Sequence, residues 1–207
     1  MPVTTIIFDL GGVLVQTRWE RFTRPVGEMC GLPEDAVMDR VTSGDAYFPF
    51  MRGEFDADEF ARRLAGGFAL DGVSRGNLLS LWSDVIVADD GSDGQGDVFD
   101  IVTRLRGRYR LAIGSNTDPL HFARGLELRP SLHSFQDRLL SYELGRCKPD
   151  PDFFILGLRT LGIRADECVF IDDRPDNVAA ARGVGIEGVH FISAIQLEAD
   201  LTALQIL

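Results

Sequence analysis

Four places in this chain carry side chains that could do chemistry together: Asp9, the pair Ser115 and Asn116, Lys148, and the pair Asp172 and Asp173. Asp9 ends the apolar run Val3-Thr4-Thr5-Ile6-Ile7-Phe8 and enters the turn Leu10-Gly11-Gly12. A buried strand favours apolar side chains, and an unpaired carboxylate there costs on the order of several kcal/mol. In open parallel sheets ligands bind at the carboxyl ends of strands. Asp9 is therefore a candidate for chemistry before it is a turn or N-cap aspartate. Ser115-Asn116 follows the run Tyr109 to Gly114, and Asp172-Asp173 follows Glu167 to Ile171. Each feature alone is weak, because polar residues commonly follow strands and Lys148-Pro149 is an ordinary loop dipeptide. In this order, each at the end of an apolar run, they describe one site. Three converging carboxylates repel unless a hard cation lies between them, and Mg²⁺ takes carboxylates, carbonyls and waters. Ser115 and Asn116 offer neutral donors to phosphoryl oxygens, and Lys148 a point charge for both nucleophile and phosphate. Electrostatic stabilisation dominates phosphoryl transfer.

The positioning elements follow from the same runs. Gly188 to Ile192 reads as another strand, and Arg138 to Ser141 as a weaker one. Between them lie helical patterns. Val98, Ile101, Val102 and Leu105 keep helical spacing up to Gly107; Asp150-Pro151 opens a helix carrying Phe153, Phe154 and Leu158; Asp176 to Arg182 forms another. Strands alternating with helices predict an α/β fold, a doubly wound parallel sheet covered on both faces. Residues 16–96 break the alternation. Trp19, Phe22, Val26 and Met29 mark one helical stripe. Asp56 opens a helix through Phe60, Leu64 and Phe68, and Leu78, Leu79, Trp82, Val85 and Ile86 mark another. This insert is expected to be all-helical, with a hinge over the polar, glycine-rich stretch Asp89 to Gly96. Residues 1–15 and 97–207 would then form the core. Phe48, Phe50 and Met51, in a loop before the Asp56 helix, fit a core face less easily.

Composition narrows the partners. The 207 residues carry 21 Lys and Arg against 32 Asp and Glu, a formal charge of −11. That argues against binding to nucleic acid or an anionic membrane, both of which need a positive surface. Three cysteines (Cys30, Cys147 and Cys168) show no metal-ligand spacing and cannot all pair, which suits a reducing cytoplasm. The first apolar run is too short for a signal-peptide core, and no run approaches a membrane span. The expectation is a cytoplasmic protein; its oligomeric state is not legible.

With these motifs in place, the chain resembles the haloacid dehalogenase-like hydrolase superfamily. Ile6 to Leu14 is similar to its first motif, Ile113 to Asn116 to its second, Lys148-Pro149 to its third and Phe170 to Asn177 to its fourth. The insert resembles the C1-type cap of that superfamily. Within it, Gly44 to Phe48 and Met51 to Glu54 resemble a bacterial branch acting on sugar phosphates such as glucose 1-phosphate. The resemblance implies a Mg²⁺-dependent phosphatase of small phosphorylated metabolites. Asp9 would be the nucleophile that forms an aspartyl-phosphate. Asp9, the Gly11 carbonyl and Asp173 would hold the metal, with Asp172 a ligand or a partner of Lys148. Ser115, Asn116 and Lys148 would bind the phosphoryl group, and Asn177 would support the turn. Most phosphatases of this superfamily carry a second Asp, a general acid, where this chain has Gly11. Arg18 and Arg52 are candidates for substrate contact, because both should face the core. His121 reads as a helix-surface residue and His190 as a structural one. Two further readings are a metal-independent haloacid dehalogenase, disfavoured by Asp172-Asp173, and a catalytically impaired phosphate- or partner-binding protein.

Overall fold

The computed structural model describes residues 2–70, 72–88 and 96–207. Of the expected hinge, all but Gly96 lies outside the described residues. Five strands, β1 (Thr5–Phe8), β4 (Arg110–Ser115), β5 (Asp137–Leu140), β6 (Cys168–Asp172) and β7 (Glu187–His190), form one parallel sheet in the order β5-β4-β1-β6-β7. The first strand is thus the central one. Phe8 lies level with both Ile113 and Ile171, so Asp9 leaves the sheet at the same height as the ends of its neighbours. The Asp9 N–H donates to the Ile171 carbonyl at 2.8 Å and carries the ladder one residue further.

Side-chain alternation builds two cores from the same strands. Ile6, Phe8, Leu111, Ile113, Val169 and Ile171 face one side and pack with α6 (Val98–Leu105), α7 (Pro119–Leu128) and α11 (Ala194–Ala203). Ile7, Ala112, Cys168 and Phe170 face the other and pack with α9 (Pro151–Leu161) and α10 (Pro175–Gly183). A sheet buried on both faces needs these near-continuous apolar strands. Asp150 caps its helix as the sequence predicts, and Asp97 and Asp118 do the same for theirs: each accepts backbone N–H groups of the first turn. A short helix, α8 (Ser141–Leu144), follows β5.

The insert has its own core. Helices α1 (Glu20–Cys30), α2 (Glu34–Ser43), α3 (Tyr47–Met51), α4 (Ala57–Phe68) and α5 (Arg75–Ser83) bury Phe22, Val26, Val37, Phe50, Phe60, Leu64 and Trp82 against one another. Four expectations are corrected here. The insert is not all-helical: β2 (Gln16–Thr17) pairs antiparallel with β3 (Ile86–Val87), and the Arg18 N–H extends the ribbon to the Val85 carbonyl. Helix α5 stops at Ser83, so Val85 and Ile86 belong to this ribbon, where β-branched residues fit better than in a last helical turn. Met29 leaves its stripe and is exposed. The segment of Phe48, Phe50 and Met51 is helix, not loop. Phe50 stacks on Phe60 at 4.2 Å, Met51 is buried, and Phe48 stays 45% exposed.

Candidate active site

Lys148 is the centre of the polar cluster. Its Nζ donates to Asp9 Oδ1 at 2.9 Å, to Asp172 Oδ2 at 2.6 Å and to the Gly114 carbonyl at 2.8 Å, all below the carboxyl ends of β1, β4 and β6. All three charged groups are buried. Burial alone would push the Lys148 ammonium down, but Asp9 and Asp172 outweigh it and hold it above the ordinary lysine value. Asp9 goes the other way. Burial pushes its carboxyl up to about 7; Lys148 opposes this, while Asp172 and Asp173 add to it. One lysine is too little positive charge for three carboxylates.

The acidic pair divides its work. Asp172 Oδ1 accepts the Arg174 N–H and the Asn177 amide, both at 2.9 Å, and Oδ2 accepts Lys148 and a second contact from Asn177 at 3.1 Å. All four lone-pair directions of that carboxylate are taken. Asn177 is itself buried at the start of α10, where it braces the turn. One oxygen each from Asp9, Asp172 and Asp173 lie within 4.8 Å of one another. What remains for a cation is Asp9 Oδ2 and the Asp173 carboxylate, whose pKa is raised by burial and then by Asp172. A hard divalent cation fits this donor set, which is all oxygen and short of positive charge.

A cavity of about 470 Å³ opens over the cluster. Asp9, Gly11, Ser115, Asn116, Lys148 and Asp173 line its floor. Ser115 is buried at the end of β4. Asn116 is bound to the Lys148 backbone: its Nδ2 donates to the Lys148 carbonyl at 2.8 Å and its Oδ1 accepts the Lys148 N–H at 2.7 Å. The carboxamide thus fixes the loop that carries the lysine. Arg18 and Arg52 are outside the lining. Arg18 continues the β2–β3 ribbon, and its guanidinium donates to the Thr17 carbonyl at 3.4 Å. Arg52 pairs with Glu54 at 2.7 Å. Instead the insert contributes Thr17, Trp19, Met38, Thr42, Tyr47 and Phe48, and the core adds Arg174. The exposed Phe48 was the only one of these flagged by its sequence setting.

A second buried polar group joins insert and core, and the sequence reading missed it. His121 is not on a helix surface; it is 4% exposed. Its Nδ1 meets Asp118 Oδ2 at 3.0 Å and its Nε2 meets the Trp82 carbonyl at 2.7 Å. Both partners only accept, so both ring nitrogens must carry protons and the ring is an imidazolium. Burial would push it down, but Asp118 outweighs burial and raises its pKa. Asp118 also accepts Trp82 Nε1–H at 2.9 Å and the Leu120 and His121 N–H groups. Burial would push its carboxyl up, but the charge of His121, with the bonds from His121 and Trp82, outweighs burial and holds it below the ordinary value. The imidazolium stacks on the Trp82 ring at 4.9 Å and 17°. The signal was present as Asp118-Pro119, a helix start, but its partner Trp82 lies 36 residues away.

The sequence profile of the haloacid dehalogenase-like hydrolases matches residues 3–185. A phosphatase of Mycobacterium tuberculosis is 28% identical over 194 residues, covering 90% of this chain and 86% of the relative. A D-ribitol-5-phosphate phosphatase of Bacteroides thetaiotaomicron is 25% identical, covering 89% and 90%. Among solved structures, a HAD family enzyme of Bacteroides thetaiotaomicron in complex with magnesium and inorganic phosphate superposes with a TM-score of 0.79 at 22% identity, over 92% of this chain and 95% of that one. At that identity the superposition speaks for the fold alone.

Proposed function

Because the chain belongs to the haloacid dehalogenase-like hydrolases, we propose that it is a Mg²⁺-dependent phosphatase of small phosphorylated molecules that works through a phosphoryl-aspartate at Asp9. The observation that carries this reading is the Lys148 Nζ held between Asp9 and Asp172 at the ends of the central strands, with Asp173 beside them. Asp9 Oδ attacks phosphorus, the bond from phosphorus to the ester oxygen breaks, and that oxygen leaves as an alkoxide that takes its proton from water. Water then attacks the same phosphorus, the bond from phosphorus to Asp9 breaks, and phosphate leaves with the water's proton released to solvent. Lys148 holds the carboxylate in place and offers charge to the transferring group, while Ser115 donates to its oxygens. Asp172 positions Lys148. Asp9, Asp173 and the Gly11 carbonyl would hold Mg²⁺, which supplies charge neutralisation for the phosphoryl oxygens when bound. The intact pair Asp172 and Asp173, beside a lysine that already serves Asp9, favours this over attack on carbon by a metal-independent dehalogenase.

The test is hydrolysis of p-nitrophenyl phosphate with and without Mg²⁺, alongside thermal unfolding. Wild type should turn over only with the ion and unfold at a higher temperature in its presence, because a ligand that binds only the folded state stabilises it. Asp9→Asn should lose turnover and stay folded. Asp173→Asn should lose both the activity and the Mg²⁺-dependent rise in Tm. Metal-independent turnover by wild type, or near-normal turnover by Asp9→Asn, would sink the mechanism.

A further inference from the structure

The cavity over Asp9 has two unlike ends. Its floor is charged and polar, and the insert supplies Thr17, Trp19, Met38, Thr42, Tyr47 and Phe48 as its roof. No residue of that roof bears a charge or a carboxamide. Thr42 has its donor engaged, since its hydroxyl donates to the Met38 carbonyl at 3.0 Å. The polar handles of the roof are thus the hydroxyls of Thr17, Thr42 and Tyr47, and burial pushes the Tyr47 pKa up to about 12, with Asp118 adding to the effect. Tyr47 therefore stays a neutral donor at working pH. The charged residues of the same segment are turned on each other. Asp45 faces Arg63 at 3.6 Å, and Arg52 faces Glu54. Arg174, the one cation in the lining besides Lys148 among the described residues, stands on the core side next to Asp173.

We propose that this roof selects phosphate monoesters whose alcohol half is apolar, aryl or alkyl, over esters of polyhydroxylated sugars; the proposal rests on the phosphatase reading above. Every sugar hydroxyl taken from water needs a partner, and one left unpaired costs more than a hydrogen bond returns. A roof whose polar groups are three hydroxyls, with neither charge nor carboxamide, leaves most of them unpaired. The aromatic faces favour the opposite kind of guest. Trp19 is fixed edge-on against Trp82 at 5.5 Å and Tyr47 at 6.5 Å, and Phe48 against Tyr47 at 5.0 Å. Rings already packed on one side present a rigid surface on the other, and binding there loses little side-chain entropy. The 45% exposure of Phe48 is otherwise unexplained, because its neighbours Phe50 and Met51 are both buried. A ligand seated on the Asp9 floor would cover it.

The experiment compares kcat/KM for benzyl phosphate and octyl phosphate with that for ribitol 5-phosphate and glucose 6-phosphate. All four release primary alkoxides, so leaving-group acidity is held nearly constant. The apolar esters should be favoured at least tenfold, chiefly through KM, and Phe48→Asn and Trp19→Ala should each shrink that ratio. Binding of the same four esters to Asp9→Asn, measured calorimetrically, separates recognition from chemistry. Turnover that favours the sugar esters, or a ratio unmoved by both variants, overturns the inference and leaves the phosphatase reading intact. Selective binding of the apolar esters without turnover by wild type upholds the inference and removes the phosphatase reading. Neither turnover nor binding overturns both.

Discussion

Gly11 and Gly12 are adjacent and alike in the sequence, but only the first has room for a side chain. A Cβ on Gly12 would lie 2.4 Å from Asp173 Oδ2, and its φ of +78° is one that L side chains rarely adopt. A Cβ on Gly11 would meet only Thr17 Cγ2, at 3.4 Å, and its φ lies outside the left-handed region. The strain that glycine's freedom suggests for Gly11→Asp therefore belongs to the next residue. Gly11 is also where a general acid would stand, and such an acid contributes about 10²–10⁴-fold. Without it, kcat/KM should fall steeply as the leaving alcohol becomes less acidic, aryl phosphates being fast and alkyl phosphates slow. Gly11→Asp should flatten that series, with each recovered tenfold worth about 1.4 kcal/mol of barrier. A flat series in wild type would show that another group already protonates the leaving oxygen. At this scale much of the site was legible. Asp9, Ser115 and the pair Asp172 and Asp173 each end or follow an apolar run, where a polar group has few structural uses, whereas Lys148 sits in a loop and was legible only in their company. Arg18 and Arg52 were misplaced because a surface arginine reaches several places, and nothing local says that Glu54 or the Thr17 carbonyl holds it.

Among elements, the contact that matters most beyond the sheet is the one between α5 and the start of α7. Asp118, His121 and Trp82 form a buried ion pair whose every polar atom has a partner. His121 has its folded pKa raised above the ordinary 6.5, so its contribution to stability is complete below that value and is lost as pH rises through the raised one. Asp118 has its pKa lowered below 3.8, so its contribution is complete above 3.8 and is lost as pH falls through the lowered one. The pair should therefore stabilise fully between about 3.8 and 6.5. Burial, with nearby acidic groups adding to it, pushes Tyr142 and Tyr47 each up to about 12, so both stay neutral across this range. Asp84 on the same side of α5 faces Arg124 on α7 at 3.7 Å. Urea unfolding of wild type and His121→Gln at pH 5 to 9 isolates the histidine, because Asp9 and the other groups titrate in both. The gap should be about 3–5 kcal/mol at pH 5, typical for breaking a buried ion pair, and should narrow as pH rises. A constant gap would mean that the ring is neutral in the native protein. The helices themselves were readable from apolar spacing and caps, whereas the β2–β3 ribbon was not. Two residues per strand are too few for alternation to show, and Ile86 continues the helical spacing of α5 by accident.

At the level of the whole molecule, the fold rests on two hydrophobic units that meet along a narrow seam. The parallel sheet was legible because each of its strands is a short apolar run. The seam was not, because its partners are far apart in sequence and polar or glycine. Gly53, at a φ of +69°, is one of them: a Cβ there would lie 2.2 Å from the Tyr142 carbonyl oxygen on α8. Gly53→Ala should push insert and core apart, lowering Tm and raising KM more than it lowers kcat, since the floor around Asp9 stays intact. An unchanged KM would mean that the seam tolerates the displacement. The chain has two tryptophans, Trp19 and Trp82, and both belong to this seam. Trp82 lies face to face with the His121 ring, and Trp19 stands edge-on to it at 6.0 Å while lining the cavity. Intrinsic fluorescence is thereby a native optical gauge of this protein. Emission is dim while a charged imidazole quenches the stacked indole, and brightens when the ring loses its proton or the two units part, with no label attached.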